Sequence, residues 1–569
     1  MAFAARLVET AARGVGALVL VALVLALALN VVSRAAGSPV VGANLAAAWL
    51  LPTLAFLALP QILPASTTVR GALAALVSGY AVGALGVGMG EAAIRIGGTE
   101  PVLGVPVSLR FWVGAGACAA AFFAALLTGW WRGFIVLGAV TALLPLPALP
   151  PLLAIAVFAL ALFVRTPVAL ALIAAVALAP GPLSDAALAQ SVMRGLSGYV
   201  LLAVPLFILA AGLMVAGGIG EHLVAAARAL SKRRGTGLGE ANVVASLLFG
   251  GVSASSIADV ATGSRLLVPP MIQSGYTLDR AAAITACSAV LPNILPPSIA
   301  LLLAAAATDL SVGALWLAGA FAAPVLAVAL IVAVRLAGSG NAPPSPPPQP
   351  TTVSDTPNAE PNARAILIGL LPALAIAVAL LGALRLGFAT AVEAGVIAVL
   401  LAAVFAVRTK GMAGLLTAIV EAAGQAGRVG LLIAAAAPVG FLVASSGFDF
   451  AALLPAAAPL TVLLAAVVVC LLVGTVLDAG AAILLVLPVM APAVVAGGVD
   501  PVHGVLTLTI ALLVGGLTPP VGILILVVKE MTGAERVYLA VVPYVAALLI
   551  ALCVVAAAPV LFDAVVSTK

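Results

Sequence analysis

"GVSASSIADVATGSRLLVPP", residues Gly251–Pro270, sets four serines, an aspartate, an arginine and a Pro-Pro pair inside a chain that is otherwise almost wholly apolar. Over its 569 residues the sequence is 64% hydrophobic and only 8% charged, where soluble globular chains carry about 25% charged residues. So few charges cannot cover a water-facing surface, and the chain reads as an all-α, polytopic membrane protein. In hydrocarbon every backbone N–H and C=O needs an internal partner, so a helix broken by serines and prolines is costly. Such breaks survive where they line a cavity or hold an ion. The stretch therefore marks a place where function overrides the helix.

Composition excludes several classes. Alanine and glycine are abundant and aromatics make up 5%, which suits close helix packing in lipid. The net charge of +5 is spread over single residues and short loops, so no nucleic-acid partner is expected. Cys118, Cys287, Cys470 and Cys553 lie in apolar runs and read as small core residues. His222 and His503 lack partner spacing for a metal or a catalytic pair. Neither an H-E-x-x-H nor a G-x-S-x-G motif occurs, so no enzyme is expected. Arg6 and Arg13 precede an apolar run at 14–29 that reads as a first membrane helix, since further spans follow at once.

Apolar spans fall near 14–32, 43–63, 71–93, 110–131, 133–148, 149–164, 166–180, 198–217, 281–306 and 312–334, then 364–384, 388–407, 429–446, 503–528 and 537–560. That makes roughly 15 transmembrane helices, to which two re-entrant hairpins are added. The basic loop "RALSKRRG" (Arg228–Gly235) sets the cytoplasmic side. Counting crossings from it places Arg70, Arg132, Arg165, Arg335, Arg408 and Lys529 inside as well, with Arg34, Arg95, Arg110, Arg194 and Arg385 outside. The Pro-rich segment 338–362 reads as a linker.

Two halves repeat one order. In the first, a hairpin near 239–272 is followed by a span interrupted at "NILPPS" (Asn293–Ser298). In the second, a hairpin near 459–495 with "GTVLDAG" (Gly474–Gly480) is followed by a span interrupted at "GGLTPP" (Gly515–Pro520). Asp259 and Asp478 sit at corresponding points just past each turn, and Pro270 to Pro297 is the same step as Pro492 to Pro519. The crossing count gives the hairpins opposite orientations, hence inverted repeats, the pattern of a secondary transporter with its site near the midplane. Ser253, Ser255, Ser256 and Asp259 are hard oxygen donors that suit Na⁺, with H⁺ coupling through Asp259 or Asp478 as the rival. The serines read equally as back-bonding helix residues. Arg265 reads either as a ligand for a substrate carboxylate or as a snorkelling or Asp259-paired arginine.

The stretches "AVPLFILAAGLMVAGGIG", "LLFGGVSASSIADVA", "LVPPMIQSGYTLDRAAAITACSAVLPNILPPSIAL", "GTVLDAGAAILLVLPVMAPAVVAGGVDPVHG" and "GGLTPPVGILI" closely resemble the large membrane subunit of tripartite ATP-independent periplasmic (TRAP) transporters, from about residue 150 to near the C-terminus. "NVVSRAAGSPV" and "TEPVLGVPVSLRFWVG" resemble the small membrane subunit more faintly, as in a fused chain. The resemblance implies an elevator-type carrier in the bacterial inner membrane, importing an organic acid with Na⁺ and fed by a periplasmic binding protein. It implies a small-subunit-like region at 1–132, a connecting helix at 133–148, a first repeat at 149–337, a linker at 338–363 and a second repeat at 364–569. Carried over by motif, a first Na⁺ site takes Ser253, Ser255, Asp259, Pro292, Asn293 and Ser298. A second takes Thr475, Asp478, Gly515, Thr518, Pro519 and Gly522. The substrate would meet Ser256, Arg265, Asn293 and Thr518. The chain departs from the family at Ala254, at Pro292-Asn293, at Arg265 and in "AAAWLLPTLAF" (Ala46–Phe56), which lacks the small subunit's acidic pair. A related carrier working without a binding protein is the alternative.

Overall fold

The computed structural model describes residues 2–35, 43–59, 69–96, 106–128, 151–164, 166–179, 185–218, 237–250, 256–337, 382, 389–445, 458–519 and 521–558. The elements among them are helical. The first are α1 (Ala2–Ala35), α2 (Ala43–Phe56), α3 (Val69–Arg95), α4 (Leu109–Thr128), α5 (Pro151–Phe163), α6 (Val168–Leu178) and α7 (Asp185–Gly195). A 3-10 turn at Tyr199–Leu202 leads into α8 (Ala203–Ala216). Then come α9 (Leu238–Phe249), α10 (Ser256–Leu266), α11 (Val268–Gln273), α12 (Leu278–Ser288), α13 (Ile299–Thr308) and α14 (Val312–Leu336). The last are α15 (Ala391–Ser445), α16 (Pro459–Gly474), α17 (Ala479–Ala496), α18 (Pro501–Gly515), α19 (Ile523–Thr532), α20 (Val537–Ala540) and α21 (Val542–Ala557).

Seven of the described helical runs are long and apolar enough to cross a membrane, so the chain is a multi-pass membrane protein. Shorter apolar helices of 10–17 residues stand beside them, α9, α13, α16 and α18 included. A ten-residue helix rises about 15 Å, half of a bilayer core about 30 Å thick. All four fall short of a full span, α13 most of all, and they lie in 239–272, in 459–495 and in both interrupted spans. The spans expected at 133–148 and, almost entirely, 364–384 lie outside the described residues.

Two stretches differ from the sequence expectation. Residues 408–428, left between spans, are helical on either side of a kink at Gly411 (φ 66°, ψ −170°), where the two helices that make up α15 meet; the second runs on to Ser445. Exposed residues line this stretch, so hydropathy alone passes over it. α7, with Gln190 and Arg194, is helical for the same amphipathic reason. Cys553 is exposed, whereas Cys118, Cys287 and Cys470 are buried. Facing out from α21, Cys553 is no core residue.

By contact the chain divides into two compact units, Met1–Leu209 with Leu416–Phe448, and Ala210–Leu415 with Asp449–Lys569. In the first, α1 packs on α2 and α4, and α3 packs on α4, α6 and α7. The later part of α15 joins them: a Cβ on Gly427 would come within 2.7 Å of the Leu54 carbonyl oxygen.

The second unit holds 239–272 and 459–495 and both interrupted spans, and its packing is reciprocal. α10, the outgoing arm of the first hairpin, lies on α19, the second half of the other repeat's interrupted span. α17, the outgoing arm of the second hairpin, lies on α13, the matching half-helix of the first repeat. α14 and α21, the helices that close the repeats, pack on each other. Such an exchange of partners is what a two-fold relation between repeats produces.

One edge of this unit is clamped by charge. Arg335, in the last turn of α14, meets Glu240 in the first turn of α9 through two hydrogen bonds, at 2.9 and 3.1 Å. The Arg335 side chain is 61% exposed, so solvent screens the pair. Glu240→Gln is therefore expected to lower the melting temperature of the purified protein only slightly. A large drop would show the pair to be far more isolated from water than this geometry allows.

Candidate functional site

The first break follows from proline chemistry. Pro292, Pro296 and Pro297 have no N–H to donate, so the ladder of α12 cannot continue through them. A 3-10 turn at Leu291–Asn293 ends the helix, and a cis bond joins Pro296 to Pro297. Ser298 restarts it as the N-cap of α13, its Oγ accepting from the Leu301 N–H at 3.0 Å. The same hydroxyl donates to the Asn293 carbonyl. The Asn293 side chain reaches across to the hairpin: Nδ2 donates to Ser256 Oγ at 2.6 Å and to the Ala289 carbonyl at 3.3 Å.

Ser256, Asn293 and Ser298 thus form one buried cluster, with Pro292 in its turn. Asp259 is buried further along α10. Ser253 and Ser255 lie outside the described residues. Arg265, in the last turn of α10, is exposed. Among the described residues no ion pair joins it to Asp259, so that pairing is not what holds it.

The second break uses backbone contact where the first uses side chains. Gly474 at the end of α16 and Gly515 at the end of α18 touch: a Cβ on Gly474 would lie 2.3 Å from the Leu512 carbonyl oxygen and 3.1 Å from Gly515 Cα. The Thr475 carbonyl accepts from the Gly522 N–H at 3.3 Å, tying hairpin turn to break. Gly522 takes a left-handed φ of 57° as the N-cap of α19, a conformation that favours glycine. Thr475 Oγ1 donates to the Leu472 carbonyl and Thr518 Oγ1 to the Gly515 carbonyl, both at 2.8 Å. A hydroxyl that spends its proton locally keeps oxygen lone pairs for a cation. Pro519 is exposed beside them.

Asp478 caps α17, its Oδ2 accepting from the Gly480 and Ala481 N–H groups at 3.2 and 3.5 Å. Asp259 is the fourth residue of α10. The step that relates Pro270 to Pro492 carries Ser256, not Asp259, onto Asp478. The correspondence between the two aspartates drawn from sequence is therefore displaced by a helical turn. The equivalent residues are a serine, Ser256, and an aspartate, Asp478, which is the N-cap of α17.

Sequence reading also passed over a polar cluster between α9 and α12. Asn242 Nδ2 donates to Thr285 Oγ1 at 2.7 Å, Ser288 Oγ to Asn242 Oδ1 at 3.3 Å, and Ser246 Oγ to Ser288 Oγ at 3.0 Å. Asn242 with Ser246 and Thr285 with Ser288 are four and three residues apart, the spacing of one helix face. That spacing was the available signal. His503 is buried with Nε2 at 2.8 Å from the Val555 carbonyl, a helix-to-helix contact.

Residues 154–561 match the family described as "Tripartite ATP-independent periplasmic transporter, DctM component", a range covering well over half of the chain. The chain belongs to the DctM family. Among its relatives is the 2,3-diketo-L-gulonate TRAP transporter large permease protein YiaN of Escherichia coli (strain K12), 28% identical over 328 residues, 56% of this chain and 74% of the relative. The sialic acid TRAP transporter large permease protein SiaM of Vibrio cholerae is 37% identical over 144 residues, 25% of this chain and 34% of the relative. The C4-dicarboxylate TRAP transporter large permease protein DctM of the same organism is 34% identical over 154 residues, 27% of this chain and 34% of that protein. For SiaM and DctM the chain thus spans about a third of the relative's length. The crystal structure of the Alcanivorax borkumensis YdaH transporter superposes with a TM-score of 0.48 at 17% identity, over 72% of this chain and 98% of that one, a likeness too low to carry an argument. Both breaks of this DctM-family chain lie inside the matched range.

Proposed function

We propose that the chain is a fused small-plus-large membrane component of a TRAP importer in the bacterial inner membrane. It takes up an organic acid, driven by Na⁺ and supplied by a periplasmic binding protein. The observation that carries this reading is the pair of hairpin-plus-broken-helix repeats clasped crosswise in one unit, each break presenting hydroxyl and carbonyl oxygens. Hard oxygens at an interrupted helix suit Na⁺. The relatives' names speak of a sugar acid, a sialic acid and dicarboxylates, all carboxylates, which favours an organic acid here.

Na⁺ is cargo in this scheme, held at the first site by Ser253, Ser255, Asp259, Pro292, Asn293 and Ser298 and at the second by Thr475, Asp478, Gly515, Thr518, Pro519 and Gly522. Ser256, Asn293 and Thr518 face the substrate from the tips, and Arg265 offers a cation from further along α10. The unit with both hairpins is the moving part of an elevator. The other unit, in which α1–α4 pack with α6 and α7, is its scaffold and supports the fused-subunit reading.

Reconstituted into liposomes, the protein is expected to accumulate substrate only with an inward Na⁺ gradient and its loaded binding protein. The substrate is first found by a thermal-shift screen of that binding protein against organic acids. Undiminished uptake with Na⁺ replaced by choline contradicts sodium coupling, and uptake without the binding protein establishes a stand-alone carrier.

A further inference from the structure

Two aromatic side chains outside the proposed sites make matching contacts in the two repeats. Trp316, near the start of α14, donates its Nε1–H to the Ser298 carbonyl at 3.1 Å. Ser298 is the N-cap of α13. Tyr538, in α20, donates its hydroxyl to the Val521 carbonyl at 2.9 Å, one residue before Gly522, the N-cap of α19. In each repeat, then, the helix after the broken span reaches back to where the second half-helix begins. Trp316 and Tyr538 are separated by the same number of residues as Pro270 and Pro492, or Pro297 and Pro519.

The half-helices so held are themselves matched. α13 and α19 are each 10 residues long. They end in Thr308 and Thr532, whose hydroxyls each donate at 2.7 Å to the carbonyl four residues back. Each is closed by a left-handed residue, Asp309 or Gly533. Their register is fixed at both ends.

We infer that Trp316 and Tyr538 are positioning residues for ion coupling, each pinning the start of a half-helix so that the oxygens of its break stay in ligating geometry. The inference rests on the proposed reading of the breaks as sodium sites. A backbone freed from its helix in hydrocarbon has no ladder to fix it, while an ion site must hold its ligands to about 0.5 Å. In the first repeat the tether leaves little slack. The Ser298 carbonyl accepts from Trp316 Nε1 and from the Leu302 N–H at 3.0 Å, while its hydroxyl bridges the Leu301 N–H and the Asn293 carbonyl. Gly319, one turn beyond Trp316, lets the Ile294 carbonyl come to 2.3 Å from where a Cβ would stand. In the second repeat the Tyr538 hydroxyl is the matching tether, on a half-buried side chain.

The test uses the purified full chain in detergent. Its melting temperature is followed as NaCl replaces choline chloride at constant ionic strength. Tyr538→Phe removes one hydroxyl and is expected to raise the half-saturating Na⁺ concentration about three- to tenfold. A purely structural hydroxyl would lower the melting temperature in choline and leave the Na⁺ midpoint where it was. Trp316→Phe is expected to act in the same direction at the first break; should it fail to fold, Tyr538→Phe decides alone. A Tyr538→Phe protein that titrates like the wild type overturns the inference while leaving the sodium reading intact. A wild-type protein with no Na⁺ response removes the reading and this inference together.

Discussion

Asp478→Asn is expected to reduce Na⁺-driven uptake about thirtyfold or more, with the protein still inserted and folded. The carboxylate stands at the N-cap of α17, beside the turn whose Thr475 carbonyl is tied to Gly522 in the second break. One oxygen, Oδ2, serves the cap through Gly480 and Ala481. Asparagine keeps a carbonyl oxygen for that duty, so helix stability changes little. What it removes is the negative charge, and an interaction with a charged partner contributes about 1.5–3 kcal/mol. Asp478→Ala removes cap and charge together and adds a stability loss of about 1 kcal/mol. Uptake in proteoliposomes separates the two losses from each other. Wild-type rates in Asp478→Asn would remove this carboxylate from the ion path.

Gly474→Val is expected to be the most damaging single substitution at the second break. Even a Cβ there would stand 2.3 Å from the Leu512 carbonyl oxygen and 3.1 Å from Gly515 Cα. Both are backbone atoms with no rotamer to move, so α16 and α18 must separate. Overpacking of this kind costs about 1–3 kcal/mol, and the very next residue, Thr475, carries the hydrogen bond to Gly522. Unfolding temperature and uptake should fall together. Gly90→Ala is the control, since a Cβ there meets nothing within 4 Å. Full uptake in Gly474→Val would mean that the close approach of the two helices has no part in transport.

The order of hairpin, broken span, hairpin and broken span was legible because glycine, proline and aspartate stand out sharply against an apolar background. The stretches 239–272 and 459–495, read as hairpins, are helical as α9–α11 and α16–α17, with the first turn, residues 251–255, outside the described residues. The helical part of 408–428 was not legible, because Arg408, Lys410, Glu421, Gln425 and Arg428 interrupt its apolar pattern. The partner of Asp478 depends on the rule used: matching by residue type selects Asp259, whereas the step from Pro270 to Pro492 selects Ser256. Trp316 was hidden for a different reason. In a long apolar span a buried tryptophan reads as core, and nothing in the sequence tells which carbonyl its N–H will find. Asn293 was visible as a departure from the family pattern, but its bond to Ser256 across the hairpin was not.

The central claim is that two matched breaks meet the opposing hairpins and hold sodium with their oxygens. A cryo-EM map of the full chain in NaCl, compared with one in choline chloride, tests it most directly. The expected result is density beside Ser298 and beside Asp478 and Thr518 that vanishes in choline, with α13 and α19 starting afresh after each break. Unbroken helices through 291–298 and 516–522, or breaks identical in both salts with no ion density, would contradict it.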